Sequence, residues 1–149
     1  MLLEVRSAVL FLCIAFVLVA CQTMPDTPPE VTNPYQRGAL LAQAMAAVSP
    51  LRVSMTEYAM VEGHYPGSLE ELGLVEAQMR DSQYFRDLYL AEGGRIKVLV
   101  DARLGARATM ELTPKSVLGG MSTEWQCRTN VPDTTQIDTC QYDRRLKFD

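Results

Sequence analysis

Few residues of this chain could do chemistry: a single histidine, His64, four cysteines at 13, 21, 127 and 140, and the adjacent pair Glu70 and Glu71. Acid/base or nucleophilic catalysis needs a base held beside a nucleophile, or two carboxylates facing each other across a cleft. Glu70 and Glu71 are neighbours on a short helix and point to different sides, so they do not form such a pair. No nucleophile elbow and no glycine-rich phosphate loop occurs. A zinc site fails on ligand count, because His64 lies far from Cys127 and Cys140 and no further thiols are at hand. His64 itself sits between Gly63 and Tyr65 in a turn, where a solvated or packing role is expected. The chain therefore reads as a non-enzyme without metal or cofactor, and the chemistry left to it is that of its thiols.

Leu18, Val19, Ala20 and Cys21 close an apolar run, residues 8–20, that has the length of a signal-peptide core. It falls short of the roughly 20 residues that carry a helix across a bilayer. The segment resembles the lipobox of bacterial lipoproteins, which implies removal of residues 1–20 and diacylation of the Cys21 thiol at the new N-terminus. An uncleaved anchor is the alternative, and the charge ahead of the run is weak because Glu4 offsets Arg6. Residues 21–33 place Pro25, Pro28 and Pro29 among Thr, Asp and Asn, with Pro34 directly after, the composition of an extended, semi-rigid tether. Gln22 follows Cys21 where lipoproteins kept in the inner membrane usually carry aspartate, so the resemblance implies an exported protein held by lipid at the outer membrane. It would face the periplasm or the cell exterior.

The formal net charge is -4, and losing residues 1–20 leaves it unchanged because Glu4 and Arg6 leave together. A mildly acidic chain without a basic stripe has no electrostatic footprint for nucleic acid. Its one basic run, Arg144, Arg145 and Lys147 around Leu146, reads as a solvated tail. Cys13 and Cys21 belong to the signal, which leaves Cys127 and Cys140 in the folded part. Beyond an export signal the compartment is oxidising and two thiols have one connectivity, so these two should pair. Closing a loop of this length stabilises by roughly 3 kcal/mol in the chain-entropy picture.

The elements that position these cysteines follow from periodicity. Residues 35–62 predict one long helix: Asn33 can cap it, Pro34 suits the first helical position, and Gly63 supplies the stop. Ala44, Ala47, Val48, Leu51, Met55, Tyr58 and Ala59 recur at spacings of three and four and form a core-facing stripe. Pro50 falls inside the pattern and should kink or split the helix. Ser68, Leu69, Glu70 and Glu71 have the form of a capping box opening a short helix that ends near Gly73. The period then changes to two over residues 84–90, 96–100, 108–112 and 122–128, with turns at Gly93 and Gly94, at residues 102–105, and at Gly119 and Gly120. One long N-terminal helix followed by a roughly four-stranded antiparallel meander is an α+β arrangement, with the helix lying across one face of the sheet.

The order of these features resembles the globular head of a type IV pilin over about residues 34–142. The features are a long helix with an internal proline, Tyr58 and Ala59 leading into Gly63, His64, Tyr65 and Pro66, the Leu72, Gly73 and Leu74 turn, the meander, and finally Trp125, Gln126 and Cys127 with Cys140 near the C-terminus. The resemblance implies a pilin-like globular domain over residues 34–149 with a disulfide-bounded C-terminal loop. In pilins that loop lies at the exposed edge of the head and serves subunit contacts and receptor binding. Arg128, Asn130, Asp133, Gln136 and Asp138 are the candidate binding residues here, with a simple staple of the last strand as the alternative. Trp125 is expected to pack in the core against the disulfide.

A pilin also needs a basic leader ending in glycine, an aromatic first residue, a glutamate at the fifth mature position and a continuous apolar half-helix. Leu2, Leu3, Glu4 and Val5 echo that start only faintly, and the tether prolines break any helix between the apolar run and Tyr35. An upstream start codon could supply a leader but could not repair the tether. The reading is thus a lipid-tethered, non-catalytic binding module that contacts the membrane through its lipid and meets type IV pilus or related secretion and adhesion components. The alternatives are a genuine pilin subunit and a periplasmic inhibitor or immunity lipoprotein.

Overall fold

The computed structural model describes residues 28–75, 79, 82–117, 122–132 and 140–149. The apolar run at 8–20 and Cys21 lie outside these residues. Asn33 opens the first helix, its Oδ1 accepting the Tyr35 N–H at 2.9 Å, and Pro34 takes the first helical position, where no donor is needed. Helix α1 spans Pro34–Ala47 and helix α2 spans Ser49–Glu62, and together they make one long helix bent at Val48. Pro50 is the cause. Its ring crowds the carbonyl of the preceding turn and it lacks the N–H that turn would use, so the bend falls two residues before the proline itself. The helix nevertheless continues, because the Val48 N–H reaches the Ala44 carbonyl at 3.1 Å and the Arg52 N–H reaches the Val48 carbonyl at 3.2 Å. Leu41, Ala44, Val48, Leu51 and Met55 are fully buried at spacings of three and four and form the stripe that meets the sheet.

Five strands form that sheet in chain order: β1 Phe85–Ala91, β2 Arg95–Val100, β3 Thr109–Val117, β4 Ser122–Thr129 and β5 Cys140–Tyr142. The first four make the antiparallel meander that the alternation predicts. The fifth is an addition to the four-stranded expectation: three residues, parallel to β4, with Cys140 opposite Cys127. On the helix side Leu88, Ile96, Val98, Met110, Leu112 and Cys127 close the core. β3 continues past Leu112, its last residue paired with β2, through Pro114 to Val117. Pro114 therefore occupies a stretch with an open side, where a missing donor is tolerated.

The segment between α2 and β1 is held by one carboxylate and one aromatic ring. Glu71 accepts from the Gly67 N–H at 3.2 Å and from the Tyr58 hydroxyl at 3.1 Å, so the expected capping box closes on Gly67, and the short helix is a single 3-10 turn, Glu70–Leu72. Desolvation of the phenol and the bond to Glu71 raise the pKa of Tyr58. Tyr65 docks on the sheet, its hydroxyl 3.1 Å from the Thr123 hydroxyl and its ring edge-on to Trp125 at 6.3 Å. Between β2 and β3, Asp101 accepts from the Arg103 backbone N–H at 2.8 Å and from Arg103 Nε at 2.9 Å, and that side-chain bond holds the Asp101 carboxyl below the usual carboxylate range.

Residues 143–149 fold back over the outer face of the sheet. The Tyr89 hydroxyl donates to the Phe148 carbonyl, and the two rings meet edge-on at 4.9 Å. Lys97 Nζ donates to the carbonyls of Lys147 and Phe148 at 3.0 and 3.2 Å, and Asn130 Nδ2 donates to the Leu146 carbonyl at 3.2 Å. This corrects the reading of the Arg144 to Lys147 run as a solvated tail. Arg144, Arg145 and Lys147 are exposed, but Leu146 between them is buried and anchors the segment.

Candidate functional site

The disulfide expected from the cysteine positions is present. Cys127 on β4 and Cys140 on β5 are bonded with their Cα atoms 4.4 Å apart, and both are buried. Cys140 Sγ lies 3.9 Å from the Met45 sulfur, so the bridge ties the last strand to the sheet and packs beneath α1. The chain leaves β4 through Val131, which is buried and whose N–H donates to Thr129 Oγ1 at 3.2 Å. Asp133, Gln136 and Asp138 lie outside the described residues.

Arg128 and Asn130, the two described candidates, are both engaged within the fold. Asn130 Oδ1 accepts the Thr109 N–H at 2.8 Å, and Nδ2 donates to the carbonyls of Arg107 and Leu146. Arg128 pairs with Glu111 Oε1 at 2.5 Å and with Asp143 at 3.4 Å, while Arg95 reaches Glu111 Oε2 at 3.6 Å. Glu111 stands on the middle strand, and its side chain is only 2 % exposed, covered by its neighbours and the folded-back C-terminal segment. A buried carboxylate needs such partners, since leaving it unpaired costs more than the pair gains. Arg128→Met should accordingly destabilise the head by about 2 kcal/mol, whereas Arg95→Met, which removes the longer and more exposed contact, should cost less than about 1 kcal/mol. Urea unfolding of the two variants checks the difference, and equal losses would show that Arg128 is not what holds Glu111.

A family profile described as Pilin (bacterial filament) matches residues 39–141. The chain belongs to the pilin family. That match runs from within α1 to β5 and so spans the bent helix, the meander and the disulfide. No curated protein matches the chain. The pilin family is structural and builds filaments. Among the described residues, no group of three His, Cys, Asp or Glu side chains converges on one point. No helix among those residues is long and apolar enough to cross a membrane. His64 lies exposed at the end of α2, edge-on to Tyr58 at 5.7 Å, with its Nδ1 3.1 Å from the Tyr65 carbonyl. Trp125 of this pilin head is partly buried against the core and edge-on to Tyr65, and part of its ring is open to a groove of about 240 Å³ that it lines together with Ser49, Arg52, Val53, Thr56 and Glu57 of α2. Arg52 was invisible as a site residue in the sequence, because a lone arginine in an amphipathic helix reads as surface.

Proposed function

We propose that the chain is a lipid-anchored pilin head, a non-catalytic binding module at the outer membrane that contacts type IV pilus or related secretion components and modulates their assembly. The observation that carries this reading is the path of the chain ahead of α1. Residues 28–33 are not helical. The Val31 N–H donates to the Arg103 carbonyl at 2.8 Å, Arg37 Nε donates to the Val31 carbonyl at 2.7 Å, and Glu30 pairs with Arg37 at 3.4 Å. The segment is thus tied to the turn between β2 and β3, and the helix begins only afterwards. With Pro28 and Pro29 on one side and Pro34 on the other, residues 28–33 do not extend α1 toward the apolar run, which supports a head without the filament-packing stem. Cys21 at the end of the apolar run supplies the anchor in its place, and Asp133, Gln136 and Asp138 in the disulfide-bounded loop offer polar contacts to the partner.

The family match itself favours a second reading, a genuine filament subunit, and one experiment separates the two. Labelled fatty acid should enter the wild-type chain and not Cys21→Ala, and pili sheared from cells should lack the chain as an integral component. Recovery of the chain at constant stoichiometry along purified pili, with no lipid label, would establish the subunit and end the binding-module reading.

A further inference from the structure

Arg52 is the one cation of α2 and it faces the groove beneath Trp125. Its Nη2 donates to Ser49 Oγ at 3.1 Å, but its Nε is closed off from solvent and has no hydrogen-bond partner. Among the described residues it has no acidic partner either, and Glu57, which lines the same groove, makes no ion pair with it. A buried guanidinium N–H without an acceptor is costly, and the group's planar fork matches a carboxylate. The apolar part of the lining is Val53, 55 % exposed, beside the partly open Trp125 ring, and Ser49, Thr56 and Glu57 make the rest polar.

The groove measures about 240 Å³, below the roughly 300–1,000 Å³ of sites that enclose a small organic ligand and closer to the room one or two side chains need. It also adjoins a strand edge. β3 pairs with β4 along its whole length, from Ser122 to Thr129, whereas β5 covers only Cys127, Arg128 and Thr129. Among the described residues no strand pairs with 122–126 on that side. A strand edge of this kind accepts an extended chain through main-chain hydrogen bonds, and an adjacent pocket reads one of its side chains.

We propose that this groove docks an extended, acidic segment of a partner protein, with a carboxylate on Arg52, an apolar side chain against Trp125 and Val53, and the segment's backbone alongside residues 122–126 of β4, with which no described strand pairs on that side. None of the groove's lining residues lies between Cys127 and Cys140 in the sequence. The site does not depend on the lipid anchor and would serve a filament subunit equally.

Trp125 is the only tryptophan of the chain, so its emission reports on the surroundings of this one side chain. The purified full chain is titrated with capped five-residue peptides carrying one glutamate between two valines, and with their glutamine counterparts. The expected result is a saturable shift in emission, with the glutamate peptide bound at least tenfold more tightly. In Arg52→Gln that preference falls to about one, and in Glu57→Gln, which removes a competing negative charge, binding of the glutamate peptide strengthens about threefold. Circular dichroism establishes that Arg52→Gln is folded; if it is not, the wild-type preference and the Glu57→Gln gain decide. Absence of any emission shift, equal affinity for the two peptides, or a preference that survives in folded Arg52→Gln overturns the proposal. A shift that depends on the concentration of the chain without peptide would assign the groove to a second copy, and would equally overturn it.

Discussion

Gly94→Ala is expected to unfold the head at much lower urea than the wild type, with a loss of about 3 kcal/mol that combines backbone strain and overpacking. Gly94 has a φ of 73°, which an alanine adopts only with strain. A Cβ built there would stand 2.5 Å from both Cβ and Cγ of Tyr65. Neither atom is the far end of a flexible side chain, so the turn between β1 and β2 and the segment carrying Tyr65 must move apart, and Tyr65 would lose its hold on Thr123 and Trp125. Gly93 is the matched control. Its φ is 76° and a Cβ there meets nothing within 4 Å, so Gly93→Ala carries the backbone cost alone, about 1 kcal/mol. Equal losses at the two positions would mean that Tyr65 does not pack on this turn.

Cys140→Ser should cost about 3 kcal/mol, the scale of a disulfide closing a loop of this length. The two cysteines are 13 residues apart and both are buried, so the variant also leaves a hydroxyl in the apolar contact with Met45. Four titrations make the test: wild type and Cys140→Ser, each with and without reductant. Reductant should reproduce most of the loss in the wild type and add nothing to the variant. Asp133→Lys and Asp138→Lys, by contrast, should alter partner binding while leaving stability within about 0.5 kcal/mol, the usual range for substitutions away from packing. A stability loss from the charge reversals as large as that from Cys140→Ser would make the loop a structural staple and remove the case for recognition there.

The helix and the meander were legible because each buries one face and so carries its own period. Leu41 to Met55 repeat at three and four, and Ile96, Val98 and Val100 repeat at two. Three features carried no such mark. β5 has only Cys140 buried, too short a run to alternate, and it is placed by its pairing with Cys127. Glu111 looked like an ordinary outward residue of a strand with one wet face, because its burial depends on residues 143–149 and on arginines from both neighbouring strands. Leu146 and Phe148, apolar among basic residues, were the available signal for that cover. Asn130 and Arg128 drew notice as polar residues between the two paired cysteines, yet polarity does not distinguish a side chain that bonds a partner from one that bonds its own turn. The groove at Arg52 arises only when α2 and β4 are brought together, and no spacing along the chain encodes that meeting.

The chain-order arrangement of the sheet has a consequence for the sequence of events during folding. β2, β3 and β4 each pair with the strand immediately before them, so the hairpins need only short loop closures and can form as the chain emerges N-terminus first. Cys127 is therefore already seated on its strand, opposite Leu112, before Cys140 has been delivered. Oxidation comes last, on a template of four strands and a helix, and it acts as a lock on a nearly finished head rather than as a guide to its topology. A cell short of oxidant would then accumulate heads that are shaped but unlocked.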